Sequence, residues 1–279
     1  MNHFIEFSQS RETGSLWATV HSGSRQFGKQ ICQYWQNAPR IEREEEAKEA
    51  LKKGIAEIRK TCKGKDISDG IKQLRKDLGI GKKVSHKLDF LTGEYMYGYL
   101  TDMIFTSIYA KENRRAMGKV ITQALKTAAV QIIETVHNYI DFKDMMIRKG
   151  AVAAHEGEDI IIPFNMEDGI LLCKGKGNKD WNYSAPHGAG RVMSRSKAKE
   201  DCSAEVAAER MKDKDIYTSA IPVDEVKEAY KDPKVIEAAI GPTVSIIERL
   251  RPILNMKEGG KDDGRNKSGT TKTEENDSA

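Results

Sequence analysis

Apolar residues recur every three or four positions along 93–137, at Tyr95, Tyr99, Met103, Ile104, Tyr109, Met117, Ile121, Leu125, Val130 and Ile133, with no proline among them. That period predicts one long, mostly buried helical region. Ile31, Tyr34 and Trp35 predict a shorter helix over 26–34, and a thin stripe of Ile41, Leu51, Ile55 and Ile58 predicts a charged, solvated helix or hairpin from Pro39. In that stretch Glu44, Glu45 and Glu46 precede Lys48, Lys52 and Lys53 at helical separation. Residues 61–83 continue as helix–loop connections, so a charged helical insertion is expected at about 39–83. Elsewhere short β-prone runs at 4–7, 16–20, 145–147, 151–153, 160–162 and 170–172 predict strands punctuated by glycine. Helix is expected again over 195–211 and across a helix-rich end at 224–250. From Glu258 the chain is dominated by polar residues and glycine, and a disordered tail is expected over 258–279. Strands mixed with long helices in no regular alternation predict an α+β single domain spanning 1–257.

Composition narrows the partners. The 46 basic residues nearly cancel the 42 acidic ones, leaving a formal charge of +4, so any polyanion site must come from local clustering. Cys32, Cys62, Cys173 and Cys202 lie far apart with no C-x-x-C pair, which implies a reducing compartment. No apolar run is long enough to span a bilayer and no secretory pattern opens the chain. A soluble, cytoplasmic protein is expected.

Chemistry concentrates in Ser-Ala-Pro-His-Gly-Ala-Gly-Arg-Val-Met-Ser-Arg at 184–195. Gly188, Ala189 and Gly190 are small enough for backbone N–H groups to approach an anion, and Arg191 and Arg195 add forked donors suited to phosphate. A histidine beside such a cradle, here His187, can attack phosphorus. Alone, this pattern is more often a glycine-rich turn with a solvated histidine. His3, His21 and His137 each have polar company suited to a metal ligand or to an ordinary structural histidine, and no local spacing joins them. Arg148–Lys149–Gly150–Ala151 is a basic, glycine-punctuated loop of the kind that binds phosphate or simply faces solvent.

Taken in order, Asn-His-Phe-Ile-Glu (2–6), His-Ser-Gly-Ser-Arg (21–25), Tyr-Ala-Lys-Glu-Asn-Arg (109–114), Val-His-Asn (136–138), Arg-Lys-Gly-Ala (148–151), the 184–195 stretch and Glu-Ala-Tyr-Lys-Asp (228–232) resemble the RtcB family of RNA-splicing ligases. Pro-Phe-Asn-Met-Glu-Asp-Gly (163–169) resembles a bacterial and phage branch of it. The resemblance implies an RNA ligase for RNA processing, tRNA splicing or repair. It would join an RNA 3′-phosphate or 2′,3′-cyclic phosphate to a 5′-hydroxyl, using GTP and manganese through a histidine–GMP intermediate. By the same resemblance His187 is the nucleophile, and His3, His21 and His137 are manganese ligands. Asn2, His3, Phe4, Ile5, Glu6, His137, Asn138, Pro163, Phe164, Asn165, Met166, His187, Gly188, Ala189, Gly190, Tyr230 and Lys257 would line the nucleotide. Arg25, Lys149, Arg191 and Arg195 would hold the RNA phosphate.

The sequence also departs from the family it resembles. Typical members carry a longer N-terminal portion with an Asp-x-x-Cys element whose aspartate and cysteine bind manganese, whereas Met1 stands here where they have glycine. An N-terminally truncated domain with an incomplete two-manganese site is therefore expected, active with a separate N-terminal fragment as partner. Asn165 and Ile170 stand where many members have serines. The competing expectation is a non-catalytic RNA- or nucleotide-binding remnant of such a ligase.

Overall fold

The computed structural model describes residues 3–80 and 90–257. Asn2 and the expected tail at 258–279 lie outside the described residues. The fold is α+β, in two compact units. The first comprises 1–21, 130–138 and 148–279, and the second 22–129 and 139–147.

The first unit is built on a six-stranded sheet. Strands β1 (Phe4–Gln9) and β2 (Leu16–His21) form its edge hairpin. After the short strands β3 (Asn138–Asp141), β4 (Met146–Lys149) and β5 (Ala151–Ala153), the chain adds β6 (Asp159–Pro163) and β7 (Ile170–Gly175) to the far side of the sheet. The two-residue β9 (Tyr217–Thr218) and the long β10 (Val244–Lys257) complete the sheet: β10 runs between β1 and β7, antiparallel to both, and β9 pairs parallel to β10. The expected helix-rich end thus holds helix only to Ile240, and β10 replaces helix from Val244. The local sequence hides this strand because Pro252 cannot donate to a ladder. It is tolerated where the β1–β10 register shifts, between Phe7 and Ser8. The core beneath the sheet gathers Val152, Ile160, Ile162, Phe164, Leu171 and Val244. Strand β8 (Ser184–Pro186) pairs with β5. The helix expected over 195–211 is two, Arg195–Asp201 and Ala204–Asp213. It is broken where Cys202 is extended and the Ser203 side chain caps the second by accepting from Val206 N–H.

In the second unit α1 (Arg25–Thr61) runs unbroken through Pro39, merging two expected elements. Helices α2 (Lys65–Asp77) and α3 (Gly93–Ala124) follow. Trp35 joins α1 to α3 by donating Nε1–H to Asp102 at 2.8 Å and meeting Tyr99 edge-on. Contrary to the predicted helix over 93–137, α3 stops at Ala124. Lys126 takes a left-handed φ of 51°, and Thr127 N–H returns to the Thr122 carbonyl, closing the helix end. Glycine usually fills that position, so a lysine there left no stop signal. Beyond it Val130 is exposed and no helix continues through Ile133, so their spacing reflects no helical core.

Candidate active site

Register assembles the first part of the site. On β1, Phe4 stands opposite Lys257 of β10 on one side and His21 of β2 on the other. Three residues separated by most of the chain therefore form one cross-strand row. The Lys257 ammonium lies 5.5 Å from the centre of the Phe4 ring, and Phe4 stacks on His21 at 5.0 Å. The row continues by stacking: His21 on His137 with centroids 5.5 Å apart, then His137 on His187 at 4.3 Å.

His187 owes its place to a second ladder. Pairing of Ala151 with Pro186 carries Gly150 opposite His187. The Gly150 carbonyl lies 2.7 Å from His187 Nδ1. A carbonyl only accepts, so Nδ1 carries the proton; in the neutral ring Nε2 is left with the lone pair. Gly150 is in turn fixed by its own N–H, which donates to the His137 carbonyl at 2.7 Å and to Asn138 Oδ1 at 3.0 Å. Its φ of +72° explains the glycine. Lys149, exposed, is its chain neighbour.

His21 and His137 present Nε2 to Nε2 at 3.2 Å. Two donors in adjacent positions around one cation, each about 2.1 Å from it, stand roughly 3 Å apart. The pair therefore fits a divalent ion as a partial ligand set. Among the described residues no three His, Cys, Asp or Glu side chains converge to complete one. His3, half-buried just before β1, does not join the pair in such a group.

Arg191, Arg195, Tyr230 and Lys257 meet at a residue the sequence reading missed, Glu225, which is 4% exposed. Its Oε1 lies 2.7 Å from Arg195 Nη1 and 3.8 Å from Arg191 Nη1; Arg195 also pairs with Asp224. Its Oε2 accepts a hydrogen bond from the Tyr230 hydroxyl and lies 3.8 Å from Lys257 Nζ. Burial and the bond to Glu225 push the Tyr230 phenol well above its ordinary range. Burial lowers the Lys257 ammonium, with the Glu225 and Glu6 carboxylates acting the other way. The Asp-Glu pair three residues before the Glu-Ala-Tyr-Lys-Asp motif was the only sequence signal for this cluster.

The remaining expected residues are placed differently. Glu6 is buried on β1 and accepts from Ser8 at 2.7 Å; Ile5 is half-buried beside it. Phe164 and Met166 are buried in hydrophobic clusters. The Asn165 side chain closes its own loop, accepting from Glu167 and Asp168 N–H. Ile170 is wholly buried in the sheet. Ala189 is anchored in the core, and a Cβ at Gly188 would come within 2.9 Å of the Pro163 carbonyl. Gly190 accepts from Lys231 N–H. Arg25 begins α1 in the second unit, where Asn113 and Arg114 bind Ser22 and Gly23 of the preceding loop. A cavity of about 360 Å³ lies beside Tyr230, lined by Glu167, Arg210 and Lys214, but its ion pairs bind one another and it contains none of the histidines.

Fold and site together describe an α+β protein centred on a line of imidazoles ending in a buried arginine–carboxylate cluster's sequence neighbour, the 187–195 loop. The sequence model of the family described as "tRNA-splicing ligase RtcB" matches residues 1–258, and the chain belongs to the RtcB family. It is 30% identical over 274 residues to the "RNA-splicing ligase RtcB" of Escherichia coli strain K12, covering 92% of this chain and 59% of that protein. It is 39% identical over 105 residues to the "tRNA-splicing ligase RtcB" of Aeropyrum pernix, covering 35% of this chain and 22% of that protein. The chain thus spans about three fifths of the length of the Escherichia coli relative. No helix among the described residues is long and apolar enough to cross a membrane.

Proposed function

We propose that this chain carries the guanylation centre of a GTP- and manganese-dependent RNA ligase that joins an RNA 3′-phosphate to a 5′-hydroxyl. One observation supports this most: the Gly150 carbonyl accepts a hydrogen bond from His187 Nδ1–H, so that in the neutral ring Nε2 carries the lone pair of a nucleophile. In the first step Nε2 attacks the α-phosphorus of GTP, a P–N bond forms, and pyrophosphate leaves with the electron pair of the broken P–O bond. A terminal oxygen of the RNA 3′-phosphate then takes the guanylate and releases His187. Finally the 5′-hydroxyl oxygen attacks the RNA phosphorus, loses its proton to solvent, and expels GMP. A 2′,3′-cyclic end needs hydrolysis first. Arg191 and Arg195, with Lys149, would bind the RNA phosphate. Phe4, Glu6 and Lys257 offer an aromatic face, an acceptor and a donor to the guanine. Manganese, held by His21 and His137 with further donors from beyond the described residues, would supply Lewis-acid stabilisation of the developing oxyanion.

The test is covalent labelling. The chain, alone and mixed with the N-terminal part of a full-length relative, is incubated with manganese and GTP labelled in its α-phosphate. An acid-labile, alkali-stable GMP adduct is expected in the mixture. No adduct there, under conditions that label the full-length relative, favours the non-catalytic binding remnant instead.

Asn138 tests the geometry. As the acceptor that steadies Gly150, Asn138→Ala should lower the guanylation rate constant up to about tenfold while leaving GTP affinity unchanged. A rise in the GTP dissociation constant without a rate change would make Asn138 a ligand contact and not a support of the Gly150 turn.

A further inference from the structure

We propose that Glu225 is a positioning residue joining the RNA-phosphate end of the site to its nucleotide end, so that one buried carboxylate sets the geometry of both. The ligand assigned to each end rests on the ligase reading above; the link between the ends rests on the geometry. The two oxygens of Glu225 divide the partners. Oε1 faces the guanidinium groups of Arg195, at 2.7 Å, and Arg191, at 3.8 Å. Oε2 takes the Tyr230 hydroxyl and faces Lys257 at 3.8 Å. Both Glu225 and Lys257 side chains are almost sealed from water, at 5% and 6% exposure. A charge so buried is held in place by its counter-charges, and it holds them in return.

The arginine side is poised for a further anion. Arg191 is clamped on three sides: its Nε donates to the Met193 carbonyl at 3.1 Å, its plane lies 5.1 Å over the Tyr230 ring, and Nη1 faces Glu225. Its Nη2 is buried with no hydrogen-bond partner among the described residues. A buried guanidinium donor left open is costly unless a ligand oxygen completes it. In this group of ion pairs Arg191 faces Glu225 alone, and Glu225 is shared with Arg195 and Lys257, so the Arg191 guanidinium is left incompletely compensated for an incoming phosphate. Asp224 touches Arg195 alone in this group of ion pairs, whereas Glu225 reaches both ends.

The test measures binding at the two ends of the 279-residue chain by separate titrations with GMP, with an RNA oligonucleotide ending in a 3′-phosphate, and with its 3′-hydroxyl counterpart. Glu225→Gln should weaken both GMP and 3′-phosphate RNA by about tenfold and erase the preference for phosphate over hydroxyl. Asp224→Asn should weaken the RNA alone, and Tyr230→Phe the GMP alone. The preference ratio is independent of the folded fraction, so loss of stability does not mimic the effect. Glu225→Asp keeps the charge but shortens the reach; it should show the same double loss, and it replaces the glutamine variant if that one does not fold. A variant at Glu225 that binds both ligands as the wild type does, or loses only one, overturns the link while leaving the ligase reading intact. Wild-type protein that binds neither ligand, alone or mixed with the N-terminal part of a full-length relative, overturns that reading and this proposal with it.

Discussion

Replacing His187 with alanine is expected to abolish covalent GMP uptake, by at least ~1000-fold, while GMP binds non-covalently within about threefold of wild type. The reason lies in what holds the imidazole. Its Nδ1 proton is spent on the Gly150 carbonyl and its ring is stacked on His137 at 4.3 Å, so Nε2 is the one ring atom left to bond to phosphorus. A nucleophile that must be neutral gains from this arrangement, because the fixed tautomer keeps the ring proton on Nδ1 and off the attacking Nε2. A purely structural histidine predicts the opposite result: alanine would lower the melting temperature and leave labelling in proportion to folded protein. Labelling and melting measured on the same preparations, in the mixture that labels the wild type, separate the two. Full adduct in a folded His187→Ala protein places the nucleophile elsewhere.

The second large effect is a pH dependence of stability set by Glu6. Burial on the inner face of β1 pushes its carboxyl up from 4.5 to about 7, although the Ser8 hydroxyl and the Lys257 ammonium both favour the ionised form. The folded protein therefore binds this proton more tightly than the unfolded chain does. Its stabilisation is fully present below pH 4.5 and is lost as pH rises through 7. The shift corresponds to about 3 kcal/mol. Denaturant unfolding between pH 5 and pH 8 should show this decline on top of the other groups, and Glu6→Gln should flatten it and raise stability at pH 8. An unchanged slope in that variant would show that Glu6 does not titrate in this range. GMP should restore part of the wild-type loss at pH 8, since a guanine edge offers paired N–H donors to a buried carboxylate.

Much of the candidate site was legible because its chemistry is written in short contiguous runs. His-Gly-Ala-Gly-Arg displays a candidate nucleophile, small residues and a guanidinium together, and the strands at 151–153, 160–162 and 170–172 announce themselves by short apolar runs punctuated by glycines. Other features left no such trace. Strand β10 was hidden by Pro252, and the end of α3 by a lysine where glycine is usual. Glu225 lay unremarked in the stretch read as a helix-rich end, and Gly150 in a basic loop suited to phosphate or solvent, until the fold set one beneath two arginines and the other against an imidazole.

By itself the sequence determined the α+β class and the family resemblance, and it singled out His187 as the candidate nucleophile, since these rest on local period and on motif order. Tertiary structure alone decided that Lys257, Phe4, His21, His137 and His187 form one line, and that one carboxylate serves both Arg195 and Tyr230. The physical reason is sheet register. A strand's side chains are positioned by partners far away in the chain, and a shift of one residue would turn Phe4 and Glu6 to the opposite face.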